Sequence, residues 1–380
     1  MSRQKGMNLS HAAIQGISYW KLLFWLILIT PGLAGTSIPV DNSNTQFFSS
    51  STDQQMMGHR HGSPLLSNEV EFKHRADFKQ KITQDVQYSS SDNFWLRDAE
   101  DVLVPDFQVN ESAGRADHWQ SEIAYFSNGS YVVVWHEYRN VHADVYAQIY
   151  SSDGVAQGAN ILVNDDVGGS GQELPDVETD VSGNFIITWN DTRNGNWDIY
   201  GQRYSSDAVT QGANFLVNDD GGTSDQRRPK IGIQSNGDFV ITWHDYRDGN
   251  ADIYAKRYGS NGDEFGAGFK VNDDPGTTNQ YEPDIAMASN DDFILTWRDD
   301  RNGNPDVYAR QYSGNGDALG TSFQVSEGEV AVSEEAPTIA MDTNGNFVIA
   351  WQDGRNGQTD IYARLYNDNA RPAIQFDGID

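Results

Sequence analysis

The stretch WNDTRNGNWDIYGQRY, from Trp189 to Tyr204, decides the fold because it is one of five copies at a fixed spacing. Each copy begins with a tryptophan 54 residues after the previous one, and later columns hold an arginine and an aspartate. The marker tryptophans are Trp135, Trp189, Trp243, Trp297 and Trp351. Repetition at this length predicts one supersecondary unit that is copied along the chain and stacked.

Each unit is predicted to contain four antiparallel strands and no helix. In the third copy, four runs are rich in β-branched and aromatic residues, as strands are. Asn236-Gly237 between the first two runs is a dipeptide that favours a tight hairpin turn. The fourth copy has Asn290-Asp291 there, which can also adopt a positive φ. The runs in the third copy are 229–233, 239–243, 252–258 and 269–272.

The order of the strands at the two ends of the repeat region favours a closed β-propeller over an open β-solenoid. A strand-like run at 107–110 precedes the first complete unit, whereas the last unit ends after its third strand near Tyr366. The early run can complete the last unit, which would close a ring and leave no open sheet edge. We therefore predict an all-β, five-bladed β-propeller of four-stranded antiparallel blades over residues 102–371.

The repeats resemble those of secreted bacterial β-propeller proteins with the pattern W-x-D-x-R-x-G-x-x-D-[IV]-Y. Hairpins such as DTNGNFVIAW, residues 342–351, are distantly similar to the Asp-box hairpins of sialidase-like propellers, but they lack the S-x-D-x-G-x-T-W order. The resemblance implies a propeller fold. It leaves the function open because propellers host both enzymes and binding proteins.

The segments outside the repeats predict export. Residues 1–35 resemble a signal peptide, since basic residues precede the apolar run LLFWLILI (22–29) and small residues follow it. Residues 36–101 are rich in Ser, Gln and Asn and are predicted to be a disordered spacer, and residues 372–380 form a C-terminal tail. We expect a protein that is secreted or held at the cell surface, with the periplasm as the alternative and no membrane insertion after signal cleavage.

The overall charge narrows the choice of partner. The chain has 380 residues, a formal net charge of -29 and no cysteine. Such acidity argues against nucleic acid or an anionic membrane as a partner, because both would repel the protein. It leaves an extracellular glycan or protein. Without disulfides, packing or bound ions must stabilise an exported chain.

In a propeller, the loops after the second and fourth strands of each blade emerge on one face, and here both are polar. The loops after the second strands supply aspartate and arginine, which either tie the loop by charge-assisted hydrogen bonds or contact a ligand beside aromatic residues. Repeated weak sites on one face would bind a polymeric glycan by avidity. The predicted ligand contacts are Asp191, Arg193, Trp197, Asp245, Tyr246, Arg247, Asp299, Arg301, Asp353 and Arg355.

The loops after the fourth strands carry paired aspartates, whose oxygen atoms are the kind of ligand that Ca2+ prefers. The pairs are Asp165 and Asp166, Asp219 and Asp220, and Asp273 and Asp274. Because the spacing of an EF-hand loop is absent, Ca2+ stands as the one candidate cofactor without a recognised motif.

An enzymatic alternative rests on the first strand of each unit. The column that follows the proline position reads Glu122, Asp176, Lys230, Asp284 and Thr338. Its three acids could serve a glycoside hydrolase, as channel carboxylates do in five-bladed propellers of the arabinanase type. The unbroken 54-residue step favours a symmetrical scaffold instead. The main prediction is therefore a secreted binding or scaffolding propeller, with the hydrolase as the alternative.

Overall fold

The computed structural model describes residues 106–111, 117–139, 141–166, 168–326 and 332–367. Within them, no helix is long and apolar enough to cross a membrane. The predicted signal peptide, spacer and C-terminal tail lie outside the described residues. The strands are β1 (His118–Tyr125), β2 (Tyr131–Glu137), β3 (Asp144–Tyr150), β4 (Ile161–Leu162), β5 (Gln172–Thr179), β6 (Phe185–Asp191), β7 (Asp198–Tyr204), β8 (Phe215–Leu216), β9 (Gln226–Ile233), β10 (Phe239–Asp245), β11 (Asp252–Tyr258), β12 (Phe269–Lys270), β13 (Gln280–Met287), β14 (Phe293–Asp299), β15 (Asp306–Tyr312), β16 (Phe323–Gln324), β17 (Glu334–Met341), β18 (Phe347–Asp353) and β19 (Asp360–Tyr366).

The strands form five antiparallel sheets, each a meander of neighbours in chain order. The first four sheets have four strands, and the last has three among the described residues. The first strands of consecutive sheets contact one another in the order β1, β5, β9, β13 and β17. The first strands are therefore innermost, and the predicted all-β, five-bladed propeller is confirmed.

Aromatic columns of the repeat form the core between blades. In the third blade, β10 is buried along its whole length because neighbouring blades cover both of its faces. Phe239 stacks on Tyr258 with ring centroids 4.9 Å apart, and Trp243 stacks on Tyr254 at 6.3 Å. Burial of each large apolar side chain contributes about 1.5–3 kcal/mol.

The hairpin between the first two strands has the predicted turn conformation. Gly237 has a φ of 85°, in the left-handed region that glycine enters without a steric penalty. Asp291 occupies the same position in the fourth blade with a φ of 69°. The turn therefore survives without glycine, as the sequence predicted.

The predicted closing strand keeps only one side of its expected contacts. Phe107 lies 5.1 Å from Tyr150, and the Tyr150 hydroxyl donates to the Val109 carbonyl at 3.3 Å. Phe269 makes the same ring contact with Tyr312 of the blade that follows it, at 5.5 Å. Pairing of 107–110 with β19 is not among the strand pairings of the described residues, so closure is not confirmed.

Candidate active site at the inner strands

Each innermost strand contains a β-bulge that sets the direction of the residues after it. In β9, Arg227 pairs with His244 and Lys230 pairs with Thr242, so one extra residue is accommodated between them. A bulge of this kind bends the strand and re-aims the following side chain. The left-handed residues at the bulges are Gln120, Leu174, Arg228, Glu282 and Ala336, with φ between 49° and 56°. Because every blade has one, the bulge belongs to the architecture.

Two of the predicted catalytic carboxylates meet at one lysine. Lys230 Nζ donates to Glu122 Oε1 at 2.9 Å and to Asp176 Oδ1 at 3.0 Å. The backbone N–H of Ile231 donates to the other oxygen of Asp176 at 2.9 Å. Because Glu122, Asp176 and Lys230 come from β1, β5 and β9, this cluster joins three blades. All three side chains are at least three-quarters buried.

The third predicted carboxylate is held by the following blade. Asp284 Oδ2 accepts a hydrogen bond from the Thr338 hydroxyl at 2.8 Å and another from the backbone N–H of Ile339 at 3.0 Å. The inner column is thus divided into an acidic pair around Lys230 and an acid bonded to Thr338. The five blades are not equivalent at this column, although their loops and cores repeat.

The Asp–Arg columns of the loop face form ties within the blade. Asp191 Oδ2 accepts from Trp189 Nε1 at 2.9 Å and from Arg193 Nη2 at 2.7 Å. The guanidinium of Arg193 also lies 4.1 Å from the centre of the Tyr200 ring. This arrangement recurs at Asp245, Asp299 and Asp353, and the side chains of all four aspartates have no exposed surface. The expectation that this aspartate column faces a ligand is therefore corrected.

The arginines of these ties are only partly exposed and already have partners. Arg193, Arg247, Arg301 and Arg355 each bond to the aspartate two residues before them. Hydrogen bonds from Arg355 and Trp351 hold the pKa of Asp353 below its ordinary value, against the upward effect of burial. Among the predicted ligand contacts, Trp197 and Tyr246 remain partly exposed rings on this face.

The paired aspartates do not fit a Ca2+ site. Asp165 Oδ1 accepts from Arg193 Nη1 at 2.8 Å, whereas Asp166 Oδ1 accepts from Asn164 at 3.1 Å. The two carboxylates of a pair thus turn to different partners, and a guanidinium beside one of them repels a cation. Asp219, Asp220, Asp273 and Asp274 follow the same division. Among the described residues, no group of three or more acidic, histidine or cysteine side chains converges.

Sequence reasoning missed a basic and aromatic group beside the acidic pair. Arg227 and Arg228 of β9 flank the buried His244, whose pKa burial lowers to about 3, with a further contribution from the two arginines. Tyr281 of β13 places its ring 5.5 Å from His244. The signal was present in the alignment of the repeats, because only the third copy has two adjacent arginines at this position.

The chain has distant likenesses among solved structures. No family model and no curated protein matches it. The α-L-arabinofuranosidase of Fusarium graminearum in complex with arabinobiose is 10% identical, covers 65% of this chain and 92% of its own, and gives a TM-score of 0.44. The Penicillium chrysogenum α-L-arabinanase is 12% identical over 61% of this chain and 76% of its own, with a TM-score of 0.44. An endo-arabinase of Bacteroides thetaiotaomicron is 14% identical over 62% and 89%, with a TM-score of 0.37.

The arrangement of the loop face corrects the main functional prediction. A binding or scaffolding module that recognises its partner through this face was expected, but the aspartate column of the face is fully buried in internal ties and so is not available to a partner. The similar structures named above are glycosidases, and at these identities and TM-scores they show a likeness of fold alone. Since no family model matches, the resemblance to secreted bacterial repeat proteins is supported only as a repeat propeller.

Proposed function

We propose that this chain is a glycoside hydrolase whose two catalytic carboxylates are Glu122 and Asp176. The observation that carries the proposal is their shared contact with Lys230 on the innermost strands. Glycoside hydrolysis needs two carboxyl groups, one to protonate the leaving oxygen and one to act at the anomeric carbon. The acids lie at an inner column where the blades differ, as an active site on a repetitive scaffold requires.

The spacing of the pair supports a retaining mechanism. Both carboxylate oxygens lie about 3 Å from the same nitrogen. These two oxygens are therefore no more than about 6 Å apart, a limit that includes the roughly 5–5.5 Å of retaining enzymes and falls below the roughly 6.5–9.5 Å of inverting ones. A separation of this size leaves no room for a water molecule between the second carboxylate and the sugar.

The surroundings of the two acids suggest separate roles. Asp176 is 3% exposed and accepts hydrogen bonds from an ammonium group and a backbone N–H, which favour its charged form. It is assigned as the nucleophile that bonds to the anomeric carbon while the glycosidic C–O bond breaks. Glu122 gives its proton to the leaving oxygen, then takes one from the water that displaces Asp176.

Lys230 orients the pair before substrate binds. Its ammonium group donates to Glu122 Oε1, whereas the first step needs that carboxyl group to donate a proton to the leaving oxygen. The glycosidic oxygen must therefore replace Lys230 Nζ beside Glu122 Oε1 in the enzyme–substrate complex. Lys230 would then remain with Asp176 and keep that carboxylate ionised.

The test is release of reducing sugar from a panel of arabinan, xylan, galactan and pectic polysaccharides. We expect Glu122→Gln and Asp176→Asn each to lower turnover at least about 100-fold, the lower range for loss of an acid–base group. Asp284→Asn is the matched control on the same column, and it should stay within about tenfold of the unaltered chain. Product analysis by NMR should show retained anomeric configuration.

Two results would refute the proposal. One is an absence of hydrolysis across the panel by a folded, monodisperse protein. The other is hydrolysis that persists at the level of the unaltered chain in each of the single variants Glu122→Gln and Asp176→Asn. An inverted product would leave hydrolysis in place and reject the assignment of Asp176 as nucleophile.

A further inference from the structure

Strand β9 reverses the charge of the inner strands. Its sequence Gln226-Arg227-Arg228-Pro229-Lys230 carries three cations in a chain with 26 basic and 55 acidic residues. The two positions held by Arg227 and Arg228 carry no cation in the other blades. Those blades have Trp119-Gln120, Glu173-Leu174, Tyr281-Glu282 and Glu335-Ala336.

Both arginines keep hydrogen-bond donors for a ligand. Arg227 uses Nη2 to bond Asp225 at 2.8 Å, and its side chain is 41% exposed. Arg228 places Nη1 3.4 Å from Glu282 and is 39% exposed. A guanidinium has five N–H donors in a planar fork, so one contact of this kind leaves most of them available.

Aromatic rings and one buried polar atom surround the two guanidinium groups. Arg227 lies 5.2 Å from the centre of the Trp197 ring. The ring centroids of Tyr246 and Tyr281 are 6.4 Å apart, and the ring of His244 lies nearly perpendicular to both. His244 is 4% exposed, and its Nδ1 has no hydrogen-bond partner among the described residues. A buried polar atom without a partner is rare and calls for a water molecule or a ligand group.

We propose that Arg227 and Arg228 bind the carboxylate of a uronic acid unit in the substrate. The planar fork of arginine matches a carboxylate through two parallel hydrogen bonds. Trp197, Tyr246 and Tyr281 supply apolar ring faces against which a sugar ring packs. This subsite rests on the proposed hydrolase function, because it would hold one unit of the sugar chain that the enzyme cleaves. Arg228 is two residues before Lys230 on the same strand, β9, and Lys230 bonds both catalytic carboxylates.

The negative charge of the protein restricts where on its surface an anionic sugar can bind. A net charge of -29 repels an anionic polymer from most of the surface. The arginines of β9, although each lies beside one carboxylate, supply two adjacent positive charges with which a carboxylated sugar can pair. A neutral sugar could use the aromatic rings, but it would leave the guanidinium donors to water.

The experiment measures binding of trigalacturonate and of its methyl ester by calorimetry, in the Asp176→Asn background so that neither is consumed. The trisaccharides of guluronate and of glucuronate serve as further acidic ligands. At least one free acid should bind about tenfold or more tightly than the neutral ester, as charge-assisted hydrogen bonds predict. The double variant Arg227→Gln/Arg228→Gln should lose that preference. Arg203→Gln, which removes one positive charge from β7, should keep it.

Equal affinity for the acids and the ester would overturn the subsite, as would a preference that persists in the double variant. The outcome for the subsite is separate from the outcome for the enzyme. Hydrolysis of a neutral polysaccharide without any preference for acids rejects the subsite alone. An arginine-dependent preference in a chain without hydrolytic activity rejects the hydrolase and keeps the carboxylate site.

Discussion

Replacing Asp245 by asparagine should show how much one loop tie contributes to stability. Asp245 accepts from Trp243 Nε1 at 2.8 Å, from Arg247 Nη2 at 2.7 Å and from the Arg247 backbone N–H at 2.8 Å. Asparagine keeps the shape, removes the charge and turns an N–H2 group toward one of these donors. Breaking a buried ion pair costs about 3–5 kcal/mol. Because the Arg247 side chain is 20% exposed and can regain some water, we expect the lower figure.

A loss of about 3 kcal/mol corresponds to a fall in Tm of about 6–12 °C for a domain of this size. Differential scanning calorimetry measures it directly. Asp207→Asn is the matched control, since Asp207 lies exposed in a turn, and it should change stability by less than about 0.5 kcal/mol. If Asp245→Asn melts with the control, the tie is not what holds the loop, and the reasoning that removes this column from ligand binding fails.

Two further predictions concern ring closure and acid stability. In this cysteine-free chain, the pair Gln108→Cys and Tyr362→Cys should form a disulfide if residues 107–110 close the ring. The matched control is the pair Gln324→Cys and Tyr308→Cys, whose positions face each other in β16 and β15. A disulfide in the control pair alone would reject closure by residues 107–110. His244 stays neutral in the folded chain because burial lowers its pKa to about 3, whereas the unfolded chain takes up the proton near the ordinary pKa of histidine. The free energy of unfolding should therefore fall as the pH drops from about 6.5 toward 4. His244→Asn should reduce the slope of that fall by up to about 1.4 kcal/mol per pH unit. Identical slopes in thermal melts of the two proteins would contradict the assignment.

The sequence predicted the structure of the blade well because the contacts within a blade join residues that are close in sequence. The hairpin at Gly237, the core column at Trp243 and the spacing between copies depend on residues near one another in the chain. The sequence did not reveal that Asp191 is fully buried, because an aspartate in a polar loop has the same letters whether it ties the loop or faces a ligand. It also could not give the contact of Lys230 with Glu122, which joins residues 108 positions apart.

The division between repeated and varied columns explains where function is to be sought in this molecule. Asp245 and Arg247 bond each other within one loop, so every blade that folds in this way needs both. Lys230 and Glu122 bond across blades, and no single blade requires either of them. Selection for folding therefore holds the first kind of position constant and leaves the second kind free to differ. The inner strands are where the blades differ in charge, and a ring of equal blades can acquire a chemically asymmetric site only at such positions.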